Sequence, residues 1–175
     1  QKLAAYYKVS MDELMIGSGS SDILAMAYHM LLAPGAEVLT GEASFVVYYQ
    51  LAEVLNMPIV RVPMKEYGFD LEAMASRITS STRLIVIANP NNPTGTIVRR
   101  SELDAFMKRV PDHAVVVLDE AYIEYVEDRE FPDSLCRAEL MPIRWVWAAA
   151  SDHPATRKAL TRSEFGKLPQ VYVWP

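Results

Sequence analysis

The chain has 175 residues, 51% of them hydrophobic, and a formal net charge of -5. That length and composition suffice for one domain with a real core. The acidic balance argues against nucleic-acid and anionic-membrane partners, which select basic patches, and no stretch approaches the ~20 apolar residues of a membrane helix.

In chain order, Gln1 at the start points to a beginning inside a longer reading frame, and no charged segment followed by an apolar run marks a secretory leader. Ser20 or Ser21 is placed to cap a helix whose apolar face is Ile23, Leu24, Met26, Ala27, Met30 and Leu31. The Pro34-Gly35 pair ends that helix, and residues 37–40 read as a short strand. Residues 45–55 are again helical, and residues 58–62 form a strand. Asp70 precedes a helix with Leu71, Met74 and Ile78, and residues 83–88 (RLIVIA) form a buried strand. Ser101, with Asp104 three residues on, has the shape of a capping box. Residues 115–118 form a second buried strand, which ends on Asp119. Strands alternating with helices predict an α/β fold, three-layered with helices on both faces of a mainly parallel sheet. Ligands of such sheets sit at the carboxyl ends of the strands.

The pattern breaks near Leu135. All three tryptophans and four of the eleven prolines fall after it, and the charge reverses, from 11 basic and 19 acidic residues before to 6 and 3 after. The predicted division is therefore a domain over residues 1–135 and a divergent tail over residues 136–175. The tail reads as a surface appendage or as the product of a frameshift, fusion or truncation, and the second reading is preferred. Its Cys136, the only cysteine, has no partner for an internal disulfide, which fits a reducing cytoplasm.

Four segments carry chemistry. Residues 88–95 read ANPNNPTG directly after a buried strand. Two X-Pro steps and a closing glycine impose a rigid turn, which can hold the Asn92 amide toward a ligand; a plain loop of turn formers is the simpler alternative. Residues 115–125 read VVVLDEAYIEY. Asp119, at the end of an apolar strand, needs a cation or hydrogen-bond donors to stay charged, unless it only caps the next turn. Residues 17–22 read GSGSSD where a helix begins, so free amides and the helix dipole make an anion site or an ordinary cap. Residues 42–49 read EASFVVYY, placing Phe45 either as a ring for stacking or as core filler.

Together these segments resemble the class I and II aminotransferases, pyridoxal-phosphate enzymes of fold type I, and are most similar to the histidinol-phosphate aminotransferase branch. The ANPNNPTG string matches the family signature unaltered, and DEAYIEY resembles that branch in particular. Ser18, Ser21-Asp22 and Ala43-Ser44-Phe45 depart mildly from the family's usual Asn, Asp-Glu and Pro-Thr-Tyr. The resemblance covers residues 1 to about 135 and implies a partial large, cofactor-binding domain. It implies that Asp119 keeps the ring nitrogen of pyridoxal 5'-phosphate protonated, that Asn92 and Tyr122 donate to its phenolate oxygen, and that Phe45 stacks on the ring. It further implies that the amides of Ser20, Ser21 and Asp22 hold the phosphate and that the Asn92–Pro93 bond is cis.

The family also carries a Schiff-base lysine in a Ser-Lys motif some thirty residues past the aspartate, followed by a phosphate-binding arginine. No Ser-Lys occurs in this chain, whose corresponding stretch reads AAASDH; Lys158 is the nearest candidate. The catalytic residue is thus unassigned and no metal is expected. The implied function is a transaminase acting on histidinol phosphate and imidazole-acetol phosphate, or a related amino acid, with a 2-oxo acid. A small-molecule amino donor and keto acceptor are the expected partners, with a cytoplasmic location and, for the full-length family, a homodimer. A non-catalytic fragment and a threonine-phosphate decarboxylase-like enzyme are the alternatives.

Overall fold

A computed structural model of the chain describes residues 2–7 and 9–126. The predicted tail over residues 136–175, Cys136 and Lys158 lie outside the described residues. Helix α1 (Lys2–Tyr7) and a 3-10 turn (Met11–Glu13) lead into α2 (Ser20–Leu31), β1 (Glu37–Gly41), α3 (Val46–Val54), β2 (Ile59–Val62), α4 (Leu71–Ser76), β3 (Thr82–Ala88), α5 (Arg100–Met107) and β4 (Val115–Asp119). The four strands form one parallel sheet in the order β2-β1-β3-β4.

Strand β3 lies between two neighbours and explains the RLIVIA run. Side chains alternate across a strand, and here both faces are covered. Leu84, Val86 and Ala88 pack with Leu24 and Tyr28 of α2 and with Tyr48 and Ala52 of α3. Ile85 and Ile87 pack on the other face with Met74 of α4 and with Leu103 and Phe106 of α5. A strand buried on both sides loses the apolar-polar alternation and reads as a continuous apolar run. The expected three layers are therefore present, with α2 and α3 on one face and α4 and α5 on the other.

Strand β4 departs from expectation. It borders the sheet among the described residues, and only Val116 of its five residues is fully buried. Its apolar run reflects the parallel environment, yet one side is without a neighbouring strand among those residues. Two caps also differ. Gly19 (φ 94°), not Ser20 or Ser21, occupies the cap position of α2, and Ser20 and Ser21 are already helical. Helix α5 begins two residues before the predicted Ser101 cap position would allow, because the Glu102 carboxylate accepts from the Arg99 N–H at 2.8 Å and closes the first turn there. Asp70 does cap α4, accepting from the Ala73 N–H at 2.9 Å. Asp70→Ala is expected to cost about 1 kcal/mol, read as a lowered thermal unfolding midpoint with an unchanged fold.

Candidate active site

The site forms where the strands end. Ala88 of β3 pairs in register with Asp119 of β4, so the ANPNNPTG turn and the DEAY turn leave the sheet side by side. The first turn is held by its own asparagines. Asn89, fully buried, donates from Nδ2 to the Val98 carbonyl (3.0 Å) and accepts the Val98 N–H on Oδ1 (2.8 Å). Asn91 donates from Nδ2 to the Ala43 carbonyl (3.0 Å) and to Thr94 Oγ1 (2.7 Å), while its Oδ1 accepts from Ser44 Oγ (2.8 Å). Gly95 (φ 71°) takes the left-handed conformation that lets its N–H reach the Asn91 carbonyl at 2.8 Å. Asn92, between these anchors, takes no part in them and lines the pocket. The Asn92–Pro93 bond is cis, as the resemblance implies, and so is Asn89–Pro90.

The pocket is lined by Ser20, Phe45, Ala88, Pro90, Asn92, Asp119, Ala121 and Tyr122. Five of the seven predicted residues are thus brought together on one cavity. Ser21 and Asp22 follow Ser20 on α2 but are not in the lining. The Asp22 carboxylate turns back and accepts the Ser18 N–H at 2.9 Å. The side chain thus braces the loop before α2 and leaves the expectation for Asp22, which concerns its backbone amide, as it was. The space for that brace depends on Gly17, where a Cβ would stand 2.8 Å from Asp22 Oδ2.

Two neighbourhoods of the pocket differ in electrical character. At the start of α2 the hydroxyls of Ser20 and Ser21 are buried and have no hydrogen-bond partner. Buried polar groups are nearly always paired, and these two stand beside the unsatisfied amides and positive dipole end of a twelve-residue helix. At Asp119, burial raises the pKa above its ordinary value; the Tyr48 hydroxyl and then the Ala121 N–H act in the opposite direction. A carboxylate held in this way gains most from a protonated nitrogen. The pocket therefore suits a small molecule with both an anionic group and a basic nitrogen. Phe45, 8% exposed, adds an aromatic ring to the lining.

Sequence reasoning missed Tyr48. Its hydroxyl donates to Asp119 Oδ2 at 2.7 Å, and its ring meets Phe45 edge-on, with centroids 5.6 Å apart. The available signal was its spacing: three residues past Phe45, it falls on the same face of α3. The structural roles of Asn89 and Asn91 were also missed, because only Asn92 was singled out. Among the described residues no group of three or more His, Cys, Asp or Glu side chains could hold a metal ion, and no helix is long and apolar enough to cross a membrane.

The chain belongs to the class I and II aminotransferases, whose sequence profile matches residues 1–154, past residue 135 where the motif resemblance was read to end. Among its relatives is histidinol-phosphate aminotransferase 1 of Cupriavidus pinatubonensis, 46% identical over 134 residues, which are 77% of this chain and 36% of that protein. The chain thus spans about a third of the length of such relatives. Histidinol-phosphate aminotransferase from Sinorhizobium meliloti, solved in complex with pyridoxal-5'-phosphate, superposes with a TM-score of 0.69 at 27% identity, over 75% of this chain and 36% of that one. N-succinyldiaminopimelate aminotransferase from Mycobacterium tuberculosis superposes with a TM-score of 0.65, also at 27% identity, over 77% and 36% respectively. The fold is therefore that of fold type I pyridoxal-phosphate enzymes.

Proposed function

We propose that this chain forms the cofactor-binding part of a pyridoxal-phosphate transaminase that exchanges an amino group between histidinol phosphate, or a related amine, and a 2-oxo acid. The observation that carries this reading is a single pocket lined by both the partly buried Asp119 carboxylate and the unpartnered Ser20 hydroxyl. The similarity to histidinol-phosphate aminotransferases over three quarters of the chain supports the substrate class. When bound, pyridoxal phosphate serves as an electron sink for the substrate carbon. The chain's own residues hold and tune it. Asp119 pairs with the protonated ring nitrogen, Asn92 and Tyr122 donate to the phenolate oxygen, and Phe45 covers one ring face. The Ser20 hydroxyl, with the amides of Ser20, Ser21 and Asp22 that open α2, takes the phosphate. A cytoplasmic location and a homodimer complete the proposal for the whole enzyme.

A second reading, a binding fragment without turnover, is favoured by the absence of Ser-Lys from the 175 residues. A threonine-phosphate decarboxylase-like activity would differ by releasing carbon dioxide in place of a keto product.

The test is titration of the purified chain with pyridoxal phosphate, followed by absorbance and tyrosine fluorescence. Saturable binding is expected, weakened about tenfold or more in Asp119→Asn, since a hydrogen bond to a charged group is being lost. The same variant is expected to melt no lower than the wild type. Burial raises the folded-state pKa of Asp119, so its contribution to stability is present at low pH and is lost as pH rises through that pKa. At neutral pH the neutral amide removes this penalty and can still accept from Tyr48. Non-saturable binding by the wild type, or equal affinity in Asp119→Asn, would reject the reading.

A further inference from the structure

Tyr48 stands behind Asp119 and has no place in the proposed contacts to the cofactor. Its side chain is fully buried in the α2–α3 side of the core. It is fixed from two directions: its hydroxyl reaches Asp119 Oδ2 at 2.7 Å, and its backbone carbonyl accepts the hydroxyl of Tyr28, also fully buried, at 3.0 Å. The other Asp119 oxygen accepts the Ala121 N–H at 3.2 Å. Each carboxylate oxygen therefore has one protein donor, and the shorter bond comes from Tyr48. We infer that Tyr48 is a positioning residue, which holds the Asp119 carboxylate ionised and oriented toward the pocket. This deepens the proposed function and rests on it for the identity of the cation that Asp119 meets.

The chemistry of the pair supports the assignment. A carboxylate in a desolvated place drifts toward its neutral form, and a neutral acid cannot charge-pair with a ring nitrogen. A hydroxyl donating to the ionised form opposes that drift. Burial and the nearby Asp119 charge hold the Tyr48 phenol well above its ordinary pKa, so it remains a donor wherever Asp119 titrates. The other titratable groups acting on this pair are Tyr28 from α2 and Tyr49 from α3, both through Tyr48, and burial holds the Tyr28 phenol well above its ordinary pKa. Tyr122 faces the same pocket. A phenylalanine would serve equally well if Tyr48 were only core filler. The hydroxyl, and nothing else about the ring, is what the inference requires.

The experiment uses the full chain labelled with carboxyl-13C aspartate, with the Asp119 resonance assigned by its loss in Asp119→Asn. Without any cofactor, Asp119 in Tyr48→Phe is expected to titrate at higher pH than in wild type. A fluorotyrosine at position 48, a stronger donor of nearly the same size, is expected to lower the titration. With pyridoxal phosphate added, Tyr48→Phe is expected to bind about tenfold more weakly where its Asp119 is protonated, and to converge on wild type as pH rises. Should Tyr48→Phe fail to fold, the fluorotyrosine protein still decides the matter. Titration of Asp119 at the wild-type pH in the folded variants overturns the inference. A shifted titration without any cofactor binding supports the hold of Tyr48 on Asp119 and rejects the cofactor reading of the pocket.

Discussion

Incubated with pyridoxal phosphate, glutamate and a 2-oxo acid, the purified chain is expected to give no detectable amino transfer. The reaction needs an amine that joins the cofactor covalently and returns as the base that moves the substrate proton. The family places that lysine in a Ser-Lys motif, and none occurs in these 175 residues. Positioned acid–base groups typically contribute about 10²–10⁴-fold, so losing this group alone lowers the rate below most assays, before the lost covalent route is counted. Asp119, Asn92 and Tyr122, the residues proposed to hold the ring, include no amine. The assay follows keto product by chromatography and cofactor absorbance in parallel. A borohydride-fixed cofactor adduct on Lys158, with turnover abolished by Lys158→Ala, would overturn the expectation. It would show that Lys158 does the work of the family's own lysine.

Asn89→Ala is expected to be the most damaging single change to the described fold. Asn89 is fully buried, and both ends of its amide are bonded to the backbone of Val98, itself 5% exposed. Alanine leaves a buried N–H and a buried C=O without partners, at about 1–3 kcal/mol each. The sum is roughly 2–6 kcal/mol, a large part of a small domain's stability of ~5–15 kcal/mol. The damage also reaches the site, because the Asn89–Val98 link closes the loop that carries Asn92. Chemical denaturation is expected to show a clearly lower midpoint, and the surviving folded fraction a weaker affinity for pyridoxal phosphate. A wild-type midpoint would mean that water replaces the amide at no cost.

The strand-helix alternation was legible because a parallel sheet imposes a simple code. Buried on both faces, β3 could only be a run such as RLIVIA. The four site segments were legible because each joins a strand end or helix start to unusual turn chemistry. What escaped was set by tertiary contacts. The half-buried state of β4 depends on a neighbour, not on its own VVVLD. The α2 cap was misassigned because serine oxygens near a helix start are read as caps, whereas here they face inward and leave the cap position to Gly19. The use of the Asp22 carboxylate on the Ser18 N–H was likewise not legible in GSGSSD. Tyr48 was invisible for the same reason, since its partner lies 71 positions away.

The flush pairing of Ala88 with Asp119 also sets where this lineage can change length. One residue inserted into β3 or β4 would turn every later side chain of that strand to the opposite face. The asparagine turn and the aspartate would then no longer leave the sheet at one level. The connections at the opposite rim, residues 32–36, 55–58, 77–81 and 108–114, enter the strands far from the pocket. They can lengthen or shorten at little cost, because loop closure grows only slowly with length. Insertions and deletions among relatives are therefore expected to gather on the rim where strands begin, while the rim where they end keeps its spacing.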